Sequence, residues 1–351
     1  PPKLCRFFVG DRSLFDVQRK PQHFLGNCLV FALSDYKLPD ILYRIATDRS
    51  QSYESRERKR SRNRIRYYDE RNPAVNKYDY MTAEYSLGSV QWGHTEQILQ
   101  HTWALNWRAG KPGEVTTLFT LHPYYSERDM CSLFTALRST VVADVVGSKT
   151  TYDKEDKLVG SSPYEKLFQH KGTLIGLYDL TAPDVTWRHY DGFFSKDLLE
   201  RRQDPSGWII CKTPHVYFAF LPLKPFQWLE EKQVWRLRSS EPRNGFVLEV
   251  KQADEVSSFA AFQQAVTAAN VERIDFERDP HIRYTNLDGQ TMEFSYSGLR
   301  LLNGKIEDAT SYPLFESPYI TSAAGSGKMV VTYKNRNMVL DLANSVLQLS
   351  K

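Results

Sequence analysis

The stretch YMTAEYSLGSVQWGHTEQILQHTW (residues 80–103) decides how the chain is read. Its 24 residues hold two tyrosines, two histidines, two tryptophans and two glutamates, and its flanks alternate apolar with polar side chains. Alternation at period two marks strands with one buried face, so the segment reads as antiparallel strands rather than helix. Residues two apart share a face: Tyr78, Tyr80 and Glu84 align before a turn placed at Gly88, and His101, Trp103 and Leu105 align after it. His94 falls between them, just after Gly93, where a loop imidazole can reach a groove.

The same reading extends in both directions. RIRYYDE, KYDYMTAEYSLGSVQ, QHTWALNWR, EVTTLFTLH, STVVADVVG and GTLIGLYDL read as strands separated by Gly, Pro, Asn and Asp; the second half repeats the style from SGWIICKT to SVLQLSK. NLDGQ (286–290) and LLNGK (301–305) read as hairpins whose two central residues take positive φ at low cost. One clear helix interrupts the strands, EVSSFAAFQQAVTAAN, capped by Ser257 or Ser258. Near the start, His23–Tyr36 and Pro39–Ala46 carry two short helical patterns, with Pro39 in a first turn. The expected fold class is therefore mainly β: a large antiparallel β-sandwich, or supersandwich, over residues 61–351. A short N-terminal helical segment, residues 1–60, precedes it, expected either to pack on the sheets or to be the end of a larger helical domain. Twenty Tyr, 19 Phe and 7 Trp suit sheet faces and ring contacts.

Several function classes recede. No run of about 18 apolar residues is present, so no membrane span is expected. Cys5, Cys28, Cys131 and Cys211 lie far apart, without zinc or disulfide spacing. There is no Gly-x-Ser-x-Gly elbow, no His-Glu-x-x-His helix and no dinucleotide fingerprint. TSAAGSGKMVV imitates a phosphate loop but has Ser322 where the first glycine belongs and Met329 where a metal-binding hydroxyl belongs; it reads as a glycine turn. Net charge is only +4, and much of the excess sits in RERKRSRNRIR (Arg56–Arg66). That run reads as a solvated loop or a charged strand edge, with a polyanionic glycan as a further possibility and no nucleic acid expected. No signal peptide is visible and the chain opens without methionine, so an upstream segment is expected to have been removed or to lie outside it.

The chemistry gathered at residues 80–103 is extended by FTLHPYYSERDM, which adds His122, Tyr124, Tyr125 and Arg128 at another strand end. If the two strand ends are neighbours, one groove holds imidazoles, phenols and Arg108 or Arg128. Elimination from a uronic acid needs those types: a cation or donor neutralises the carboxylate, a Tyr or His removes the C5 proton, and a Tyr or His protonates the leaving oxygen, with no cofactor. Hydrolysis would instead need two facing carboxylates, for which Glu84 with Glu96 or Asp79 are the local candidates. Taken singly, these histidines and tyrosines are more often ordinary edge and cross-strand packing residues.

WGHTEQILQHTWALNW resembles the Gly-His element of the heparinase II/III-like and alginate-lyase-like polysaccharide lyases, which join a helical toroid to an antiparallel β-supersandwich. The resemblance covers roughly residues 60–350 and implies a metal-independent, cofactor-free lyase of an acidic polysaccharide, secreted or periplasmic, with an upstream helical domain or homo-oligomer. It implies His94 as a catalytic-site histidine; the leading reading of the residues then makes His94 base or carboxylate neutraliser, Tyr85 or Tyr80 proton donor and Arg108 the carboxylate partner. Trp92, Trp103, His122, Glu96, His101 and Tyr125 then line the substrate groove. The family's doubled Gly-His and its toroid tyrosine have no counterpart here. A non-catalytic β-sandwich that binds a glycan or a protein through stacked rings stands as the alternative, with a glycoside hydrolase third.

Overall fold

The computed structural model describes residues 39–60, 74–92, 102–108, 115–122, 162, 164–183, 185, 187–230 and 234–350. Helix α1 (Asp40–Thr47) is followed by β1 (Tyr53–Arg60), β2 (Ala74–Met81), β3 (Tyr85–Trp92), β4 (Trp103–Arg108), β5 (Val115–Leu121), β6 (Glu165–His170), β7 (Thr173–Asp179) and β8 (Tyr190–Ser195). Then come β9 (Glu200–Gln203), β10 (Ile209–Lys212), β11 (Val216–Pro222), β12 (Gln227–Glu230), β13 (Val234–Ser239), β14 (Arg243–Gln252) and helix α2 (Phe259–Ala268). The last part holds β15 (Val271–Arg273), β16 (His281–Thr285), β17 (Thr291–Ser295), β18 (Arg300–Leu302), β19 (Lys305–Ile306), β20 (Phe315–Glu316), β21 (Ile320–Ser322), β22 (Lys328–Tyr333), β23 (Arg336–Asp341) and β24 (Val346–Ser350).

These strands make three antiparallel sheets. The largest has 13 strands in the order β12-β13-β8-β5-β4-β3-β2-β1-β20-β21-β22-β23-β24; the second has six, β6-β7-β14-β11-β10-β9; the third has five, β15 to β19 in sequence. The central strands β7, β14 and β11 of the six-stranded sheet are buried on both faces, which explains why TLIGLYD, VYFAFLP and GFVLEV are nearly unbroken apolar runs rather than alternating ones, whereas the edge strand β9 is mostly exposed. Its residues still alternate between two cores. Leu174, Tyr178, Phe246 and Leu248 face the large sheet, where they meet Trp103, Leu105, Trp107 and Phe194. Ile175, Leu177 and Val247 face the other way, onto α2 (Phe262, Val266) and the small sheet (Ile282, Tyr284, Phe294). Phe246 is central to the first core: its ring stacks on Phe220 at 5.0 Å and packs against Trp103 at 5.1 Å. A third cluster joins Ile41 and Ile45 of α1 to Tyr53, Met81, Val331 and Met338 of the large sheet.

The architecture is the mainly β, antiparallel one that the strand patterns predict, and several details differ. Residues 53–60 are already strand, so the helical segment expected over 1–60 reaches only Thr47 among the described residues. Pro39 stands at the cap of α1, not within its first turn, and the His23–Tyr36 helix lies outside the described residues, as do the strands RIRYYDE and STVVADVVG. The turn placed at Gly88 lies instead at Thr82–Glu84, because the Thr82 hydroxyl accepts from the backbone N–H groups of Glu84 (3.2 Å) and Tyr85 (2.9 Å). Gly88 is mid-strand, opposite Asp79. The basic run begins on an interior strand, since β1 pairs with β2 on one side and β20 on the other. At LLNGK both Asn303 (φ 52°) and Gly304 (φ 75°) are left-handed as expected, whereas at NLDGQ only Gly289 (φ 73°) is; there Asn286 Oδ1 holds the turn by accepting from Asp288 and Gln290 N–H. Ser258 caps α2, accepting from Ala261 N–H at 3.0 Å. No described helix is long and apolar enough to cross a membrane.

Two buried carboxyls tie the layers together. Glu165 accepts from Thr102 Oγ1 (2.6 Å) and the Tyr178 hydroxyl (2.9 Å), joining the large sheet to the six-stranded one. Glu249 accepts from the Tyr284 hydroxyl (2.9 Å) and Thr173 Oγ1 (3.2 Å), joining the six-stranded sheet to the small one. Burial pushes both carboxyls from the ordinary 4.5 up to about 7. The folded chain therefore holds more protons than the unfolded one between pH 4.5 and about 7. This contribution is complete below 4.5 and is lost as pH rises through 7, on the order of 3 kcal/mol for each group. Glu165→Gln and Glu249→Gln, which keep an oxygen acceptor without the titration, should each flatten the fall in denaturant midpoint between pH 5 and 8. An unchanged slope in both variants would contradict the assignment.

Candidate functional site

Tyr80 is the penultimate residue of β2 and Tyr85 opens β3, and the three-residue turn between the two strands returns both side chains to the face that meets the six-stranded sheet. Their rings meet edge to face at 6.0 Å. Tyr85 is 1% exposed and directs its hydroxyl to Val250 O at 3.4 Å. It can do so because residue 172 is glycine: a Cβ there would lie 2.6 Å from the Tyr85 hydroxyl and 2.5 Å from Val250 O. Tyr80 is only half-buried and forms part of the wall of a cavity of about 270 Å³. The other walls are the Lys171–Gly172 turn, Val250, Lys251, Glu255 and Asp288, with Tyr85 behind.

Polar chemistry dominates this hollow. Lys251 is ion-paired with Asp288, and Glu255 accepts from the Gln252 backbone N–H at 3.0 Å. Lys171, in a left-handed conformation (φ 48°), makes no ion pair among the described residues and is exposed. Burial pushes the Tyr80 phenol above its usual range; a hydrogen bond with Ser52 opposes this, while Glu255, Asp288 and Glu54 reinforce it. The phenol thus stays protonated at neutral pH.

The remaining expected site residues disperse. Arg108 follows Trp107, whose ring packs inward on Phe218 at 5.2 Å, so Arg108 points to the opposite face of the sheet from Tyr80 and Tyr85. There its Nη1 donates to both Glu84 oxygens, at 3.1 and 3.2 Å. It cannot serve a carboxylate held by those tyrosines, and Glu84 is not a free acid of a hydrolytic pair. Trp103, expected as a groove wall, is 1% exposed and donates its Nε1–H to Thr120 Oγ1 at 2.8 Å. His122, also expected there, is sealed: its Nε2–H donates to Trp187 O (2.7 Å), so Nδ1 accepts from Ser162 Oγ (2.7 Å). Trp92 is exposed at the end of β3. His94, Glu96, His101 and Tyr125 lie outside the described residues.

Lys171, Lys251, Glu255 and Asp288 were missed by sequence reasoning, although the Asp-Gly turn that carries Asp288 was recognised as a hairpin. A second aromatic surface, Trp228 and Trp235, is already occupied: the Arg201 guanidinium lies 4.1 Å from one ring centroid and 4.5 Å from the other. Comparison with known proteins gives no match, whether to a family model, to a curated protein or to a solved structure. The lyase resemblance therefore rests on the order and style of the elements and on the Gly93-His94 element.

Burial lowers the His122 ring to about 4 from the ordinary 6.5. Its contribution has the opposite sign to that of the two glutamates: it is present above 6.5 and lost as pH falls towards 4. Nitrogen-15 spectra of the imidazoles should show His122 neutral, with its proton on Nε2, from pH 5 to 8. A ring titrating near 6.5 would refute the sealed geometry.

Proposed function

We propose that the chain is the β-supersandwich of a carbohydrate-active protein and that it binds an acidic polysaccharide at the cavity beside Tyr80. The observation that carries this reading is the cavity's composition: an aromatic wall next to an ammonium that makes no ion pair among the described residues, a paired carboxylate and ammonium, and turn backbone, in about 270 Å³. Sugar rings present apolar C–H faces to aromatic rings and hydroxyls to charged groups, and a uronic-acid unit adds a carboxylate that Lys171 can receive.

Elimination is the second reading, and the placement of Tyr80 beside Lys171 favours it. The Tyr80 phenol can donate to a leaving oxygen from the cavity wall, and Lys171 can neutralise the uronate. The base of that scheme is His94, the residue that the Gly-His resemblance implies. Binding has the stronger support, because neither Arg108 nor the sealed Tyr85 can take the part expected of it.

Calorimetric titration with oligomers of alginate, heparin, hyaluronan and glucuronan tests the proposal. At least one should bind, and Tyr80→Ala should weaken it roughly tenfold, about 1.4 kcal/mol. Lys171→Ala should weaken the acidic oligomers while leaving neutral ones unchanged. No binding by any polyuronate would remove the proposal. In the same samples, ultraviolet absorbance of an unsaturated product separates elimination from binding alone, and new reducing ends without it would indicate hydrolysis.

A further inference from the structure

A second cavity, of about 50 Å³, is bordered by Arg56, Tyr78, His170, Arg300, Glu307 and Tyr312 among others. Arg300 opens β18, is 8% exposed, and lies with its guanidinium 4.9 Å from the Phe294 ring centroid. A guanidinium carries five N–H donors. Nη1 donates to Gln91 Oε1 (3.1 Å) and Leu167 O (2.7 Å), and Nη2 to Gln91 O (2.6 Å). The other two donors, Nε–H among them, have no acceptor among the described residues. No carboxylate among the described residues neutralises Arg300 there either.

The plain account of Arg300 is a tie between layers, since its three acceptors lie on β3 and β6 while it belongs to the small sheet. That account is correct and incomplete. All three acceptors are neutral, so a full positive charge remains desolvated, a situation that costs several kcal/mol unless an anion offsets it. Desolvation indeed lowers this guanidinium to about 10. The neighbouring charges do not supply the anion. Glu54 is engaged by the Tyr78 hydroxyl (2.7 Å) and Glu316 lies 3.7 Å from Arg56. Glu307 borders the cavity and donates its backbone N–H to Arg300 O (3.0 Å), but its carboxylate makes no hydrogen bond or ion pair with the guanidinium.

We propose that this cavity is a binding site for a single carboxylate, received by the two free N–H donors of Arg300 with Arg56 as the second cation. The size fits. At roughly 12 Å³ per enclosed water the space takes about four water-sized atoms, enough for a carboxylate and too little for a sugar ring. A carboxylate also matches the planar fork of the guanidinium. The site shares no lining residue with the cavity beside Tyr80, so it stands whether or not that cavity binds a glycan.

The test is thermal unfolding of the whole chain with sodium formate against sodium chloride at equal ionic strength, with formamide as the neutral isostere. Formate should raise the midpoint along a saturating curve, and formamide should not. Arg300→Met should abolish the response. Should that variant fail to fold, Arg56→Gln, which leaves the ties to Gln91 and Leu167 intact, decides: it should weaken formate at least fivefold, while Tyr80→Ala leaves it unchanged. Equal responses to formate and chloride, or undiminished formate binding by Arg56→Gln, would overturn the proposal. Displacement of carbon-13 formate by a glucuronate oligomer would assign the carboxylate to a sugar acid; lack of displacement would assign it to a free small acid.

Discussion

A six-stranded sheet with both faces covered is the constraint on which the rest of this molecule depends. Because neither face of its central strands β7, β14 and β11 meets water, those strands can be apolar nearly throughout, and each of their residues is committed to one of two cores by the pleat alone. Leu174 and Ile175, adjacent in sequence, belong to different layers. Phe246 and its neighbours then bring the large sheet close enough that Gly172 must lack a side chain for Tyr85 to reach Val250. Truncating a ring of this kind typically costs 3–5 kcal/mol.

Where the apolar layers end, polar groups cross between sheets. Gln169 donates from its side chain to Leu87 O (2.9 Å) and Lys171 O (3.0 Å), and Arg300 reaches Gln91 and Leu167 from the third sheet. Such groups hold a register only if satisfied, and a partly satisfied one marks where a ligand can enter. The two cavities lie at this polar fringe. One is walled by the Lys171–Gly172 turn beside Tyr80; the other is bordered by His170, one residue earlier. Both cavities thus lie at the ends of the buried sheet, not at its centre.

Period-two patterning made the fold class legible, and Asn-Gly and Asp-Gly pairs made the turns legible, because both are local properties. The site was less so. Tyr80 was recognisable as a candidate, but its partners Lys171, Lys251 and Asp288 come from three other turns or strand ends, and nothing local announces that they converge. Alternation did imply that Arg108 and Trp107 face opposite sides; what it could not say is which face is core. Trp103 and His122 looked like groove residues because ring chemistry serves packing and recognition equally well, and only burial separates the two uses. Arg300 carried no local signal at all, since a lone arginine in a short strand reads as a surface charge.

Amide hydrogen exchange of the whole chain, with and without a bound polyuronate oligomer, tests the central claim most directly. If a rigid, doubly covered sheet carries the binding cavity at its turn ends, the amides of β7, β11 and β14 should be the slowest and indifferent to ligand. Those of Lys171, Gly172, Asp288 and Gly289 should slow when the oligomer binds. Exchange in β14 as fast as in β24, or an oligomer that binds while leaving those four amides untouched, would contradict the account.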